Sequence, residues 1–169
     1  MWLDTLNTAD RVNLLELYGR SVMLIELGRA AEWVELFEPH ALVRCARHSH
    51  QFKGRSELLG FAQRMIAGEF DLAAGLLTPP SPCRHTLTDI SLFSDGAQGM
   101  AKGYAHLAVT SAGDTGSPRW LASGTYSDRL RKCGGGCWLF ESRVLAVDST
   151  APSLGTPGSA GRLSSASPA

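Results

Sequence analysis

Apolar residues recur at steps of three and four from Val12 through Leu15, Tyr18 and Val22 to Ile25, the period of a single helix face. Thr8 stands where a cap belongs, Asp10 places an acid in the first turn, and Gly28 follows the last apolar position. The pattern predicts an amphipathic helix of about four to five turns that stops near the glycine. Ala30 to Phe37 (AAEWVELF) predicts a short second helix halted by Pro39. Ala41 to Ala46 predicts a short strand. Gly54 opens a third helix, with Ser56 as its cap and Leu58, Leu59, Ala62, Met65 and Ile66 as its buried stripe.

Beyond Thr78-Pro-Pro-Ser-Pro82, which can continue neither a helix nor a central strand, the pattern changes. Cys83 to Ser94 is rich in β-formers and ends on the turn signal Asp95-Gly96. Gln98 to Val109, Trp120 to Lys132 and Cys137 to Val147 predict three more strands, separated by a polar loop from Ser111 to Pro118 and by the triple glycine Gly134–Gly136. Helices first and an antiparallel meander afterwards define an α+β domain. From Ser149 the chain is Ser, Ala, Pro and Gly with two isolated leucines, a composition of disorder. The expected organisation is one domain over residues 1–148 and a tail over 149–169.

Composition adds exclusions. A chain of 169 residues suits one domain, and a domain of this size buries roughly 70% of its unfolded surface without needing disulfides or metal. Sixteen basic residues balance sixteen acidic ones, so no global field draws the chain to nucleic acid or anionic lipid; neutrality also weakly favours self-association. No apolar run approaches the ~20 residues that span a bilayer, and Met1 to Asp10 lacks the pattern of a secretory signal. The expected location is the cytoplasm. Cys45, Cys83, Cys133 and Cys137 are then expected as free thiols. Cys133 and Cys137 invite a metal reading, but zinc wants four N/S ligands and no second pair is evident; a glycine turn with a cysteine at each shoulder is the plainer account. His48 and His50 near Cys45 read as a polar loop leaving a strand. "KGRSELLG" lacks the Gly-Lys-Ser/Thr ending of a phosphate loop, and with no nucleotide fingerprint the expected cofactor is none.

Four segments carry a family resemblance. "LLELYGRSVMLIELGRAAEWVELFEPHALV" looks like the opening of the SnoaL-like, nuclear-transport-factor-2-like proteins, in which an acid ends the first helix. "FKGRSELLGF" resembles their third helix, "RHTLTDISLFSDGAQGMAKGY" their histidine strand, and "SGTYSDRLRKCGGGCWLFESRVLAVD" their closing hairpin. The ordered set spans about residues 9 to 148. The resemblance implies a cone-like, curved mixed or antiparallel sheet wrapped by N-terminal helices around an apolar pocket, with the sheet's other face as a homodimer surface. The family includes scytalone dehydratase, hexachlorocyclohexane dehydrochlorinase and polyketide cyclases as well as structural subunits, so fold alone does not settle function.

The resemblance also implies a site. Family lyases use a histidine base oriented by an acid, and the matching positions here are His85 and Glu26. A histidine takes a proton near neutral pH, and a carboxylate on its other nitrogen fixes the tautomer and stabilises the imidazolium. The dehydratase-like relatives carry Asp where Glu26 stands, one methylene shorter. Glu26 otherwise reads as an exposed acid at a helix end, and His85 as a strand-edge histidine satisfied by backbone or water. Strand alternation puts Asp89 on the face of His85, where it offers a second partner. Arg143 suits a leaving anion, an enolate or a substrate carboxylate, unless it pairs with Glu141 or another acid. Tyr18 and Tyr126 are candidate phenol donors, although buried tyrosines more often pack. Asp128, two residues after Tyr126, is a weaker acid candidate. The expected ligand is a small hydrophobic molecule, turned over by a cofactor-independent lyase or isomerase; the alternative is a binding or subunit-assembly module of the same fold.

Overall fold

The computed structural model describes residues 6–46, 50–67, 83–111 and 120–150. Within them the order is α1 (Thr8–Glu26), α2 (Ala30–Val34), β1 (Phe37–Cys45), β2 (Gln51–Lys53), α3 (Gly54–Ala67), β3 (Cys83–Ser94), β4 (Met100–Ser111), β5 (Trp120–Lys132) and β6 (Trp138–Thr150). The strands form one six-stranded mixed sheet in the order β2-β1-β6-β5-β4-β3. β3 to β6 run as the expected antiparallel meander. β1 lies parallel to β6, between it and the edge strand β2. The architecture is the expected α+β one, with helices wrapped on one face of a curved, unclosed sheet. The Pro-rich segment at 78–82, most of the polar loop at 112–118, His48 and the tail at 151–169 lie outside the described residues. No helix among the described residues is long and apolar enough to cross a membrane.

α1 is capped by Asn7 rather than Thr8: the Asn7 side chain accepts from the Asp10 N–H at 2.8 Å, and Thr8 becomes the first helical residue. Its end follows the expected glycine. Gly28 takes φ +72°, its N–H reaches the Ile25 carbonyl, and the Arg29 N–H reaches that of Leu24, the paired bonds of a Schellman ending. The buried face differs from the apolar stripe. Leu14, Leu17, Tyr18 and Leu24 face the sheet together with Asp10 and Ser21, while Val12 and Leu15 are 48% and 42% exposed. Polar residues with built-in partners occupy the inner face. Asp10 accepts the Trp138 indole N–H at 3.0 Å, and the Ser21 hydroxyl donates to the Tyr18 carbonyl at 2.8 Å. Hydrophobicity alone does not see such partners.

The second helix is shorter than its apolar pattern. It stops at Val34, and Phe37 begins β1 because the sheet claims that stretch: the Phe140 N–H donates to the Leu36 carbonyl at 2.9 Å, and the fully buried Phe37 ring packs on Trp33 and Phe140. Pro39 sits within β1, where the pairing to β6 is interrupted between Phe37 and Leu42. β2 has three residues at the sheet edge, too few for a pattern to show. Cys133 and Cys137 are not free thiols. They are bonded to each other across the Gly134–Gly136 turn, with Cα atoms 5.3 Å apart, inside the usual disulfide range. Cys45 and Cys83 are free.

Two bulges decide which residues face the helices. In β3 the register slips between Thr88 and Ser91, so one residue is extra. Asp89 takes it up at φ +51° and faces outward, while Ile90 turns to the core. In β6 the pairing to β5 slips between Phe140 and Ser142, leaving Glu141 as the extra residue. Phe140 and Arg143 therefore both face the helices, three positions apart.

Candidate functional site

Between the helices and the sheet lies a hollow, partly open to solvent, with a cavity volume of about 40 Å³. Val22 and Ile25 of α1, Trp33 of α2, and Phe61 and Met65 of α3 form its helical wall. Val43 and Leu145 add apolar surface from the sheet. Four polar side chains share the lining: Ser21, His85, Tyr126 and Arg143. An apolar wall with few polar groups is the usual build of a small-molecule site.

His85 lies near the start of β3, opposite Val109 on β4. Its side chain is 10% exposed. Loss of water pushes its pKa below the ordinary histidine value, while the neighbouring Glu26 pulls the other way without overcoming burial. The ring is therefore held neutral, the form that accepts a proton. Glu26, the last residue of α1, reaches across to this strand. One of its oxygens accepts the His85 backbone N–H at 2.6 Å and lies 3.7 Å from the ring Nδ1; the other accepts from the Arg84 guanidinium at 2.9 Å. The 3.7 Å approach is too long for a formed hydrogen bond, and it becomes a charge contact only when the ring takes a proton. Arg84 also explains why an acid is tolerated at a helix C-terminus, where the dipole disfavours it. Cys83 Sγ stands 3.9 Å from the same Nδ1, and burial followed by the Glu26 charge pushes its thiol pKa up, so it stays protonated.

Arg143 is the second polar anchor. Its side chain is 5% exposed. Its Nε and Nη2 donate to the two oxygens of Asp128, each at 2.9 Å, in the planar fork that guanidinium and carboxylate share. The pair forms because Asp128 and Arg143 are register partners on β5 and β6. The guanidinium also lies 4.1 Å from the ring centres of both Tyr126 and Phe140, so two aromatic faces receive the cation. Burial opposes the charged arginine, but Asp128 outweighs it and the pKa lies above the usual guanidinium value. Behind the pair, the Tyr18 hydroxyl donates to Asp128 Oδ2. Burial and then the negative Asp128 push the Tyr18 phenol well above its ordinary pKa. Burial likewise raises that of Tyr126.

Sequence reasoning places His85, Arg143 and Tyr126 at the site, and all three line the hollow. Glu26 stands beside His85 without lining it. Tyr18 and Asp128 lie behind the wall and hold Arg143, so neither offers a group directly to a ligand. Asp89 is elsewhere: the bulge turns it outward, where it bonds His106 Nδ1 at 2.9 Å and is 73% exposed, so it cannot orient His85. The expected alternative of an Arg143 pair with an acid holds with Asp128 as the acid, whereas Glu141 bonds Arg129 and Arg131. Ser21 and Trp33 were missed. Their signals were a polar residue inside an apolar helical run and an aromatic at the close of a short helix, and neither is specific.

The model of the SnoaL-like domain family matches residues 7–144. No curated protein matches the sequence. Among solved structures, a Mycobacterium tuberculosis protein of unknown function is similar at 26% identity and a TM-score of 0.63, covering 81% of this chain and 70% of its own. A Nostoc punctiforme protein of unknown function with a cystatin-like fold is similar at 20% identity and a TM-score of 0.71, with coverage of 87% and 97%. A Novosphingobium aromaticivorans protein provisionally assigned as a scytalone dehydratase is similar at 15% identity and a TM-score of 0.63, with coverage of 83% and 85%.

Proposed function

Because the chain belongs to the SnoaL-like domain family, we propose that its hollow is the site of a cofactor-independent lyase or isomerase, dehydratase-like or cyclase-like, acting on a small hydrophobic substrate. One observation carries the reading: a neutral, buried His85 and a clamped Arg143 line the same apolar hollow. In this reading the His85 ring takes a proton from a carbon next to a carbonyl or a leaving group. Glu26, 3.7 Å from Nδ1, stabilises the imidazolium as it forms. Arg143 donates to the oxygen on which negative charge builds, where a preorganised donor in a dry site counts most. Closure of the Glu26–His85 contact to a bond is expected on substrate binding, since catalytic hydrogen bonds are often long in empty sites.

The Glu26 geometry also favours a second reading, a ligand-holding or assembly module. The carboxylate already serves the His85 backbone N–H and Arg84, so its contact to the ring is secondary. Turnover decides between the two. The wild type and His85→Ala are assayed against small hydroxylated and halogenated aromatic and steroid-like substrates. The lyase reading expects wild-type turnover and a loss of about 10²–10⁴-fold in His85→Ala. Unchanged turnover in the variant removes His85 as the base, and a folded wild type with no turnover on any member of the panel favours the module.

A further inference from the structure

We infer that the hollow selects ligands that are uncharged on entry and present a carbonyl oxygen to Arg143, and that Asp128 sets this selection by cancelling the arginine's charge. The inference rests on the reading of the hollow as a ligand site and adds the ligand's charge class to it.

An arginine in a pocket ordinarily suggests an anionic ligand. Here the anion is already built in. Both Asp128 oxygens accept from the guanidinium at 2.9 Å, the carboxylate is wholly buried, and Tyr18 donates a further bond to it. The cation is also covered by the Tyr126 and Phe140 rings at 4.1 Å. A ligand carboxylate entering this space meets a cation whose charge is matched, and the neighbouring Arg84 is likewise held by Glu26. The ligand would give up its water for little return, and an uncompensated buried charge is costly. A carbonyl oxygen needs only a donor. The bidentate clamp uses two of the five guanidinium N–H groups. The remaining attraction is small for a neutral ligand and grows as negative charge develops on its oxygen, which is the differential binding that catalysis requires.

Acetophenone and benzoate test the inference directly, because they share ring and carbonyl and differ in a methyl against an anionic oxygen. Ligand-observed NMR titration of the wild type at pH 7 is expected to give acetophenone at least about tenfold tighter binding than benzoate. In D128N the arginine is left unmatched, and the preference should shrink by about tenfold or reverse. Benzoate binding the wild type as tightly as acetophenone, or neither binding, overturns the inference, and that comparison stands even if D128N fails to fold. A folded D128N with the wild-type preference overturns the part given to Asp128. Acetophenone binding in a folded protein that turns over no member of the panel favours the module over the lyase and leaves the selection intact, so the two failures are separable.

Discussion

His85 loses most of its contact with water on folding, and the neutral ring gains over the imidazolium. The unfolded chain therefore binds a proton at this site at a higher pH, near ~6.5, than the folded chain does. Between the two values the unfolded state holds more protons, so stability rises with pH across that window and falls as pH drops from about 6.5 through the folded pKa. Below both values the neutral ring's advantage is lost. Urea midpoints measured at steps from pH 7.5 down to 5 should decline more steeply in the wild type than in His85→Gln, which has no proton to take up. Parallel slopes would show that the ring is no less hydrated in the fold than in the open chain. The same proton governs the proposed chemistry: turnover should fall on the acid side of that folded pKa and stay level above it.

Single residues were legible where their chemistry and their strand face could both be read. Arg143 and His85 stand at positions that a resemblance can mark, and both line the hollow. Asp89 was misplaced because alternation assumes an unbroken pleat, and one extra residue reverses every face beyond it. The bulge has its own signature. Asp89 has φ +51°, a region where a Cβ is strained and glycine is not. In an ordinary strand Gly is less stable than Ala by roughly 0.5–1 kcal/mol. At position 89 the order should invert, with Asp89→Gly more stable than Asp89→Ala by about 1 kcal/mol in denaturant melts. The usual order would mean that the bulge is absent.

At the scale of elements, the β5–β6 pairing and α1 are locked through one buried polar chain running from Tyr18 through Asp128 to Arg143. Removing one partner of such a pair leaves a buried charge alone and costs about 3–5 kcal/mol. Asp128→Ala is expected to lose that much in denaturant unfolding, while Asp128→Leu combined with Arg143→Leu should regain a large part of it. A loss under about 1 kcal/mol in the single variant would mean that water reaches the pair. Gly103 on β4 lets the chain approach this closely, since a Cβ there would overlap the Tyr18 hydroxyl. Gly103→Ala should therefore cost about 1–3 kcal/mol through overpacking. Only the general form was readable in advance, that Arg143 pairs with an acid; that the acid is Asp128 and that Tyr18 joins it was not. Tyr18 and Asp128 are 110 positions apart, and nothing in the residues around either one marks the other as its partner. The elements themselves were readable because length, periodicity and turn chemistry agreed for α1, α3 and the four long strands. They disagreed at Leu36 and Phe37, where tertiary pairing overrode helical periodicity.

At the scale of the molecule, the sheet and helices bury a continuous core that runs from Leu14 and Phe37 to Leu107 and Phe140, and the hollow lies beside it. The two have separate physical bases. The core's stability comes from apolar area removed from water, while the hollow persists because its lining is anchored from behind by the β-sheet, the Schellman end of α1 and the Asp128 clamp. Filling the hollow should then remove ligand binding without removing the fold. Val22 suits the test: it lines the hollow from α1 and is only partly buried, so a larger side chain can grow into existing space. Val22→Phe is expected to keep its unfolding free energy within about 1 kcal/mol of the wild type, since added volume that meets a void causes little strain. The same variant should lose at least about tenfold in affinity for acetophenone, because the ring occupies the ligand's place. A large loss of stability would show the space to be packed already, and unchanged binding would place the ligand elsewhere on the chain.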